Sequence, residues 1–135
     1  MSSIKTGVST HLEIEPIRSL FNKRVINYSF AYYENGIPII KNLMIDANAM
    51  MSLLNCFFSL QCSIQNDLDH CEFIQANRVA DCEFHIRRFE EESNVIFSIN
   101  DIATFRIDNS YVGRIFTSLE SIFLESIGEN ESDLM

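Results

Sequence analysis

Apolar and polar positions alternate with a period of two on both sides of a turn near residue 35. Ile26, Tyr28, Phe30 and Tyr32 precede the turn, and Ile37, Ile39, Leu43 and Ile45 follow it. Such alternation predicts strands with one buried face. The step Glu34-Asn35-Gly36 supplies the positive-φ pair of a tight hairpin turn. We therefore predict a β-hairpin over residues 24–45.

The same period recurs in five shorter stretches. We predict strands over residues 11–17, 71–79, 82–89, 95–99 and 102–107, with a turn at Asn100-Asp101 before the last. Pro16 has no N–H group to donate, which favours an edge position for the first of these strands.

Two stretches have helical spacing instead. In the first, the buried positions are Met50, Leu53, Leu54, Phe57, Leu60 and Ile64, and Asp46 precedes it as an N-cap. No charged residue occurs from Ala47 to Asn66, but Asn48, Ser52, Asn55, Ser59 and Asn66 form a polar stripe. We interpret residues 47–65 as an amphipathic helix of a globular domain rather than a membrane span.

A second helix follows Asp108 or Ser110 and is predicted to end at Gly128. Its apolar stripe comprises Val112, Ile115, Phe116, Leu119, Ile122, Phe123 and Ile127. A shift of 62 positions superimposes the entries of the two helices, which suggests two ββα halves that share one sheet. Because Asp is a common cap, any two Asp-capped amphipathic helices that follow strands would look alike, and this is the simpler interpretation.

These elements predict an α+β fold, with a mainly antiparallel sheet of about five to seven strands built from hairpins and two amphipathic helices packed on one face. Few Gly and Pro residues punctuate the chain, so we predict a single domain over residues 1–135. Residues 1–10 are expected to form a loose N-terminal arm and residues 128–135 an acidic, frayed tail.

Composition narrows the class of protein. The chain has 135 residues, 47% hydrophobic, with 19 acidic and 10 basic side chains and a formal charge of -9. Disorder of the whole chain is excluded by this hydrophobic content, and nucleic acid is not an expected ligand because phosphate binding requires clustered cations. Four cysteines are too few for a disulfide framework, and no secretory signal is visible, so we expect a cytoplasmic location.

The candidate metal ligands are spaced poorly for zinc. They are Cys62, His70, Cys71, Cys82 and His85. Zinc sites usually contain close pairs of ligands. The only such pair, Cys82 and His85, would point to opposite faces of a strand. We predict no metal site and, since glycines occur only at positions 7, 36, 113 and 128, no phosphate-binding loop or nucleotide cofactor.

Catalytic motifs are also weak. Cys71 directly follows His70, and adjacent side chains on a strand diverge. Glu72, Asp81 and Glu83 could converge through folding, but nothing in their spacing requires it. We therefore predict no catalytic residues and a non-enzymatic protein.

The remaining signal is the distribution of charge. Acidic residues concentrate in three groups, which are Asp67, Asp69 and Glu72; Glu90, Glu91 and Glu92; and Glu129, Glu131 and Asp133. Such groups keep a small protein soluble, and they also steer a basic partner. We select the first two groups as candidate partner-binding residues. Lys23-Arg24 and Arg87-Arg88 are interpreted as solvated strand ends.

In general character, a small acidic domain without cofactor motifs resembles bacterial immunity proteins, which bind and block a toxin domain. This resemblance implies a basic protein partner, such as a nuclease toxin domain, with no nucleic acid and no membrane as partner. An acidic adaptor or secretion chaperone is the alternative. A phage-type nucleic-acid mimic or a small enzyme is a second alternative, and a homodimer is left open.

Overall fold

A computed structural model describes residues 2–76, 82–100 and 103–132. Within these ranges the chain forms eight strands, two α-helices and one 3-10 turn. In chain order they are β1 (Ser2–Lys5), β2 (Thr10–Arg18), β3 (Val25–Glu34), β4 (Ile37–Asp46), α1 (Ala47–Gln65), β5 (His70–Ala76), β6 (Cys82–Arg88), β7 (Asn94–Ile99), β8 (Ala103–Asp108), the 3-10 turn (Asn109–Tyr111) and α2 (Val112–Ser132). The α+β class is confirmed.

The strands form two sheets, which corrects the prediction of one sheet with five to seven strands. The first sheet has the order β1-β2-β3-β4 and the second the order β5-β6-β7-β8, and all pairs are antiparallel. Helix α1 connects the two. Each sheet is a simple meander because every pair of neighbouring strands is also consecutive along the chain.

The element order is therefore four strands and a helix, repeated once, rather than the ββα halves suggested by the sequence. Both helical segments begin at an aspartate. Asp46 accepts a hydrogen bond from the N–H of Ala49 at 2.7 Å. Asp108 accepts one from the N–H of Ser110 at 2.9 Å, at the 3-10 turn that leads into α2. Both predicted caps are confirmed.

The predicted hairpin is present as β3 and β4, joined at Asn35 and Gly36 with φ values of 51° and 80°. Strand β4 is irregular, since its register against β3 shifts between Phe30 and Tyr32 and again between Tyr32 and Tyr33. Because β4 is an edge strand, these bulges and Pro38 make it a poor template for pairing with another chain.

Strand β2 is not an edge strand, which corrects the expectation drawn from Pro16. The first residues of the chain are not a loose arm either, because β1 pairs with His11–Ile14 of β2. Proline is tolerated because Pro16 lies beyond the end of β1 and pairs only with Tyr28 of β3. Pro16 is therefore at the edge of the sheet locally, where a missing N–H group is tolerated, although β2 as a whole is not an edge strand.

Helix α2 passes Gly128 and continues to Ser132, so the prediction of a frayed segment from residue 128 is wrong for residues 128–132. Residues 133–135 lie outside the described ranges, as does the end of the strand predicted over residues 71–79. Helix α2 continues through Gly128 because a glycine costs only about 1 kcal/mol relative to alanine in a helix, which is not enough to end the helix.

The two sheets and two helices share one hydrophobic core. Phe97 of β7 lies 6.2 Å from Phe30 of β3 and 6.4 Å from Phe57 of α1, measured between ring centroids. Tyr32 of β3 stacks on Phe105 of β8 at 3.8 Å. The inner faces of the sheets are thus in direct contact through aromatic rings. The predicted stripes of both helices supply most of their buried residues.

One pair of large apolar side chains takes no part in this core. Leu20 and Phe21, in the loop between β2 and β3, are 97% and 99% exposed. The loop is ordered by its own hydrogen bonds, including those from Ser19 N–H to the Arg24 carbonyl and from Lys23 N–H to the Ser19 carbonyl. Among the described residues, no helix is long and apolar enough to cross a membrane.

Candidate functional site

Two acidic segments, 20 residues apart in the chain, meet around the guanidinium of Arg88. Arg88 is buried, and it donates to the side chain of Asp67 at 2.9 Å and to the Leu68 carbonyl at 2.7 Å. A further bond to the Ser63 carbonyl, at 3.3 Å, ties the arrangement to the end of α1. A buried cation requires such partners, so the α1–β5 loop wraps around Arg88.

Backbone bonds complete the junction. The N–H of Glu91 donates to Asp67 at 3.0 Å, and the N–H of Glu90 donates to Asp69. Residues 67–69 and 89–92 therefore form one continuous surface, which we call the acidic loop surface. The bond from Glu91 N–H, followed by that from Arg88, lowers the pKa of Asp67 below its ordinary value. These interactions keep Asp67 ionised and hold the loops together.

The acidic loop surface also exposes apolar side chains. Leu68 lies between the two aspartates and is 57% exposed, while Phe89 directly precedes Glu90 and is 45% exposed. The guanidinium of Arg87 lies 5.7 Å from the centre of the Phe89 ring. Apolar anchors within a charged rim are a common composition for protein interfaces.

The structure separates Glu72 from the other five predicted partner-binding residues. Asp67, Asp69, Glu90, Glu91 and Glu92 are all exposed on the two loops. Glu72 is half-buried on β5, and its Oε2 lies within hydrogen-bond distance of Nε2 of His70, at 3.2 Å. It also lies close to the buried thiol of Cys56, whose pKa is raised by burial and secondarily by Glu72. Even-numbered residues of β5 face the core, as buried Ile74 shows, and Glu72 has that parity.

The outer face of the second sheet carries a thiol beside an imidazole. Sγ of Cys71 lies 3.4 Å from Nε2 of His85, and the ring of Phe73 stacks on the His85 imidazole at 4.2 Å. This is a nucleophile and a base at a workable distance. Backbone N–H groups of a sheet lie in its plane, however, and do not point at a group bound above the face, so the pair has no oxyanion donors from its own strands.

The four metal-ligand candidates whose side chains the structure describes do not assemble into one site. Cys71 and His85 meet on the outer face, whereas His70 lies on the opposite face and Cys62 is exposed on α1. The side chain of Cys82 lies outside the described residues. Cys56 lies beside His70 and Glu72, and its position in the sequence does not predict this contact. The sequence does indicate that His70 and Glu72 lie together, because residues two apart on a strand share a face.

No family model matches the chain, no curated protein matches it, and no solved structure matches it.

Proposed function

We propose that the protein is a non-catalytic binding protein of the immunity type, which neutralises a basic toxin domain by covering it with the acidic loop surface. The observation that carries this proposal is the assembly of that surface from two distant loops around the buried Arg88. The proposed location is the cytoplasm.

Preorganisation supports the proposal. Bonds from Arg88 and from two backbone N–H groups fix the loops before any partner arrives. Ordering a flexible loop on binding costs about 0.5–1.5 kcal/mol for each immobilised side chain. Loops that are already ordered avoid much of this cost.

Chemical composition supports it as well. Arg88 offsets the charge of Asp67, but the exposed carboxylates of Glu90, Glu91 and Glu92 have no ion pair with an Arg or Lys among the described salt bridges. Their negative charge would steer a basic partner, and the net charge of -9 acts in the same direction. Leu68 and Phe89 would then supply the apolar contact that slows dissociation.

The test begins with capture of a partner from the native host on the immobilised chain, followed by kinetics with the purified partner. We expect a basic protein that arrests growth when expressed alone and does not when this chain is co-expressed. The double variant Glu90→Lys/Glu91→Lys should lower the association rate constant by about tenfold at low salt, with a smaller effect at high salt.

The matched control is Glu120→Lys/Glu125→Lys, which makes the same change of charge on exposed positions of α2. We expect it to lower the association rate much less. The proposal is wrong if the captured partner is acidic or neutral, if it has no effect on growth, or if both double variants slow association equally.

A further inference from the structure

Three side chains with different metal-binding atoms converge between helix α1 and strand β5. The thiol of Cys56, the imidazole of His70 and the carboxylate of Glu72 each place a donor atom within 4.8 Å of the other two. Nε2 of His70 and Oε2 of Glu72 are 3.2 Å apart. Cys56 is fully buried, whereas the side chains of His70 and Glu72 are 18% and 36% exposed.

The fold positions these donors independently of any flexible segment. His70 and Glu72 share a face of β5 because they are two residues apart, and α1 packs against that strand. The loop between α1 and β5 is held by Arg88, which bonds to Ser63 at one end and Leu68 at the other. The distance between the helix and the strand is therefore fixed.

The combination of donors is selective. Sulfur, nitrogen and carboxylate oxygen are the three ligand types of zinc sites, and in a tetrahedral site neighbouring donors lie roughly 3.5 Å apart. The separation of 3.2 Å between His70 and Glu72, and the upper limit of 4.8 Å for the other pairs, are close to that distance. Ca²⁺ and Mg²⁺ prefer oxygen ligands alone, so a thiol and an imidazole disfavour them.

We propose that Cys56, His70 and Glu72 form a Zn²⁺ site with three protein ligands and a fourth position open to water. The partly exposed side of His70 and Glu72 provides the access and the open position. Binding would release the thiol proton of Cys56 to solvent, since zinc binds the thiolate. The neutral imidazole of His70 would bind through Nε2 and carry its proton on Nδ1.

The experiment uses the full chain, purified with a chelator and kept reduced, and titrates it with Co²⁺ and then with Zn²⁺. We expect one Co²⁺ per chain, with a thiolate-to-metal absorption band that disappears as Zn²⁺ displaces the cobalt. Zn²⁺ should also raise Tm, because a ligand that binds only the folded state stabilises it, and a chelator should reverse the rise.

Variants identify the ligands. Cys56→Ser and His70→Gln should weaken binding by more than the roughly 10–100-fold that follows loss of a residue outside the metal's own ligands. The matched control is Cys71→Ser/His85→Gln, which removes the other thiol–imidazole pair on the opposite face of the sheet. This control should retain full binding.

Glu72→Gln changes a half-exposed ligand and leaves the buried Cys56 side chain in place, and it should also weaken binding while the chain stays folded by circular dichroism. The proposal is overturned if the wild-type chain binds neither metal at micromolar concentrations, if the thiolate band is absent, or if the control abolishes binding.

Discussion

Arg88 shows how much one residue can determine locally. The sequence predicts that Arg87 and Arg88 are both exposed. Arg87 is exposed, but Arg88 is only 3% exposed, so the prediction is wrong for Arg88. The difference arises from strand parity, because Arg88 shares the inward-facing side with Phe84 and Ile86. A buried guanidinium must find acceptors, and it obtains them from the loop that carries Asp67. The chemistry of that residue thus determines the position of a loop.

Asp67 leads to a prediction on pH dependence. Its pKa is lowered in the folded chain, first by the N–H of Glu91 and then by Arg88. A group whose folded pKa lies below its unfolded value of about 3.9 stabilises the protein above that pH, and the contribution is lost as the pH falls through the folded pKa. We expect Asp67→Asn to lower Tm at pH 7, and we expect this difference from the wild type to shrink as the pH falls below the unfolded pKa of about 3.9.

Thermal unfolding of both proteins between pH 2.5 and 7 measures this difference. Asp69→Asn serves as the comparison, since it changes the same charge on the same loop without contact to Arg88 in the described bonds. A difference in Tm between wild type and Asp67→Asn that does not shrink anywhere between pH 7 and pH 2.5 would contradict the prediction.

At the scale of elements, periodicity identified the hairpin of β3 and β4, both helices and the strands of the second sheet. It missed β1, because Ser2–Lys5 is four residues long and, among its described side chains, contributes only Ile4 to the core. This strand forms because its backbone pairs with β2, and periodicity within four residues cannot predict such a tertiary interaction. Gly128 also predicts a helix end from the sequence, but α2 continues to Ser132.

The helix caps give a quantitative prediction at this scale. Asp46→Ala removes the acceptor for the N–H of Ala49 and should cost about 1 kcal/mol of the free energy of unfolding. Asp46→Asn keeps an acceptor and should cost only a few tenths of a kcal/mol. Urea denaturation of the two variants measures both values. Equal losses would indicate that charge, and not the capping bond, is the stabilising factor.

At the scale of the whole molecule, the sequence does not reveal how strands are shared between sheets. Alternation shows which face of a strand is buried but not which strand lies beside it. Helix α1 lies between β4 and β5 in the chain, so the two sheets are formed by separate halves of the sequence. In space the sheets are in contact through core side chains such as Tyr32 and Phe105. The acidic residues of the two loops were predictable because charge concentrates in turns, but their junction around the buried Arg88 was not. The group of Cys56, His70 and Glu72 was not, because it requires the packing of α1 on β5.

Phe97 occupies the centre of that shared core, with four aromatic neighbours from both sheets and α1, which are Phe30, Phe57, Phe84 and Phe105. Phe97→Ala should cost about 3–5 kcal/mol, because it removes buried surface and leaves a cavity. The control Phe73→Ala removes a ring that is 62% exposed and should cost about 1 kcal/mol or less.

Two probes show whether the halves unfold together. Tyr28, Tyr32 and Tyr33 all lie in β3, so tyrosine fluorescence reports mainly on the first sheet, while circular dichroism reports on the helices. We expect coincident urea transitions in the wild type. Two separate transitions would show that the sheets are independent folding units despite their common core.

The loop that carries Leu20 and Phe21 has a practical consequence. Because these side chains are almost fully exposed, cutting or extending the chain between them removes no contact from the core. Strands β2 and β3 would still be paired along their whole length. The loop is thus a natural insertion point for a fluorophore or an affinity peptide, and it is distant along the chain from both the acidic loop surface and the proposed zinc ligands.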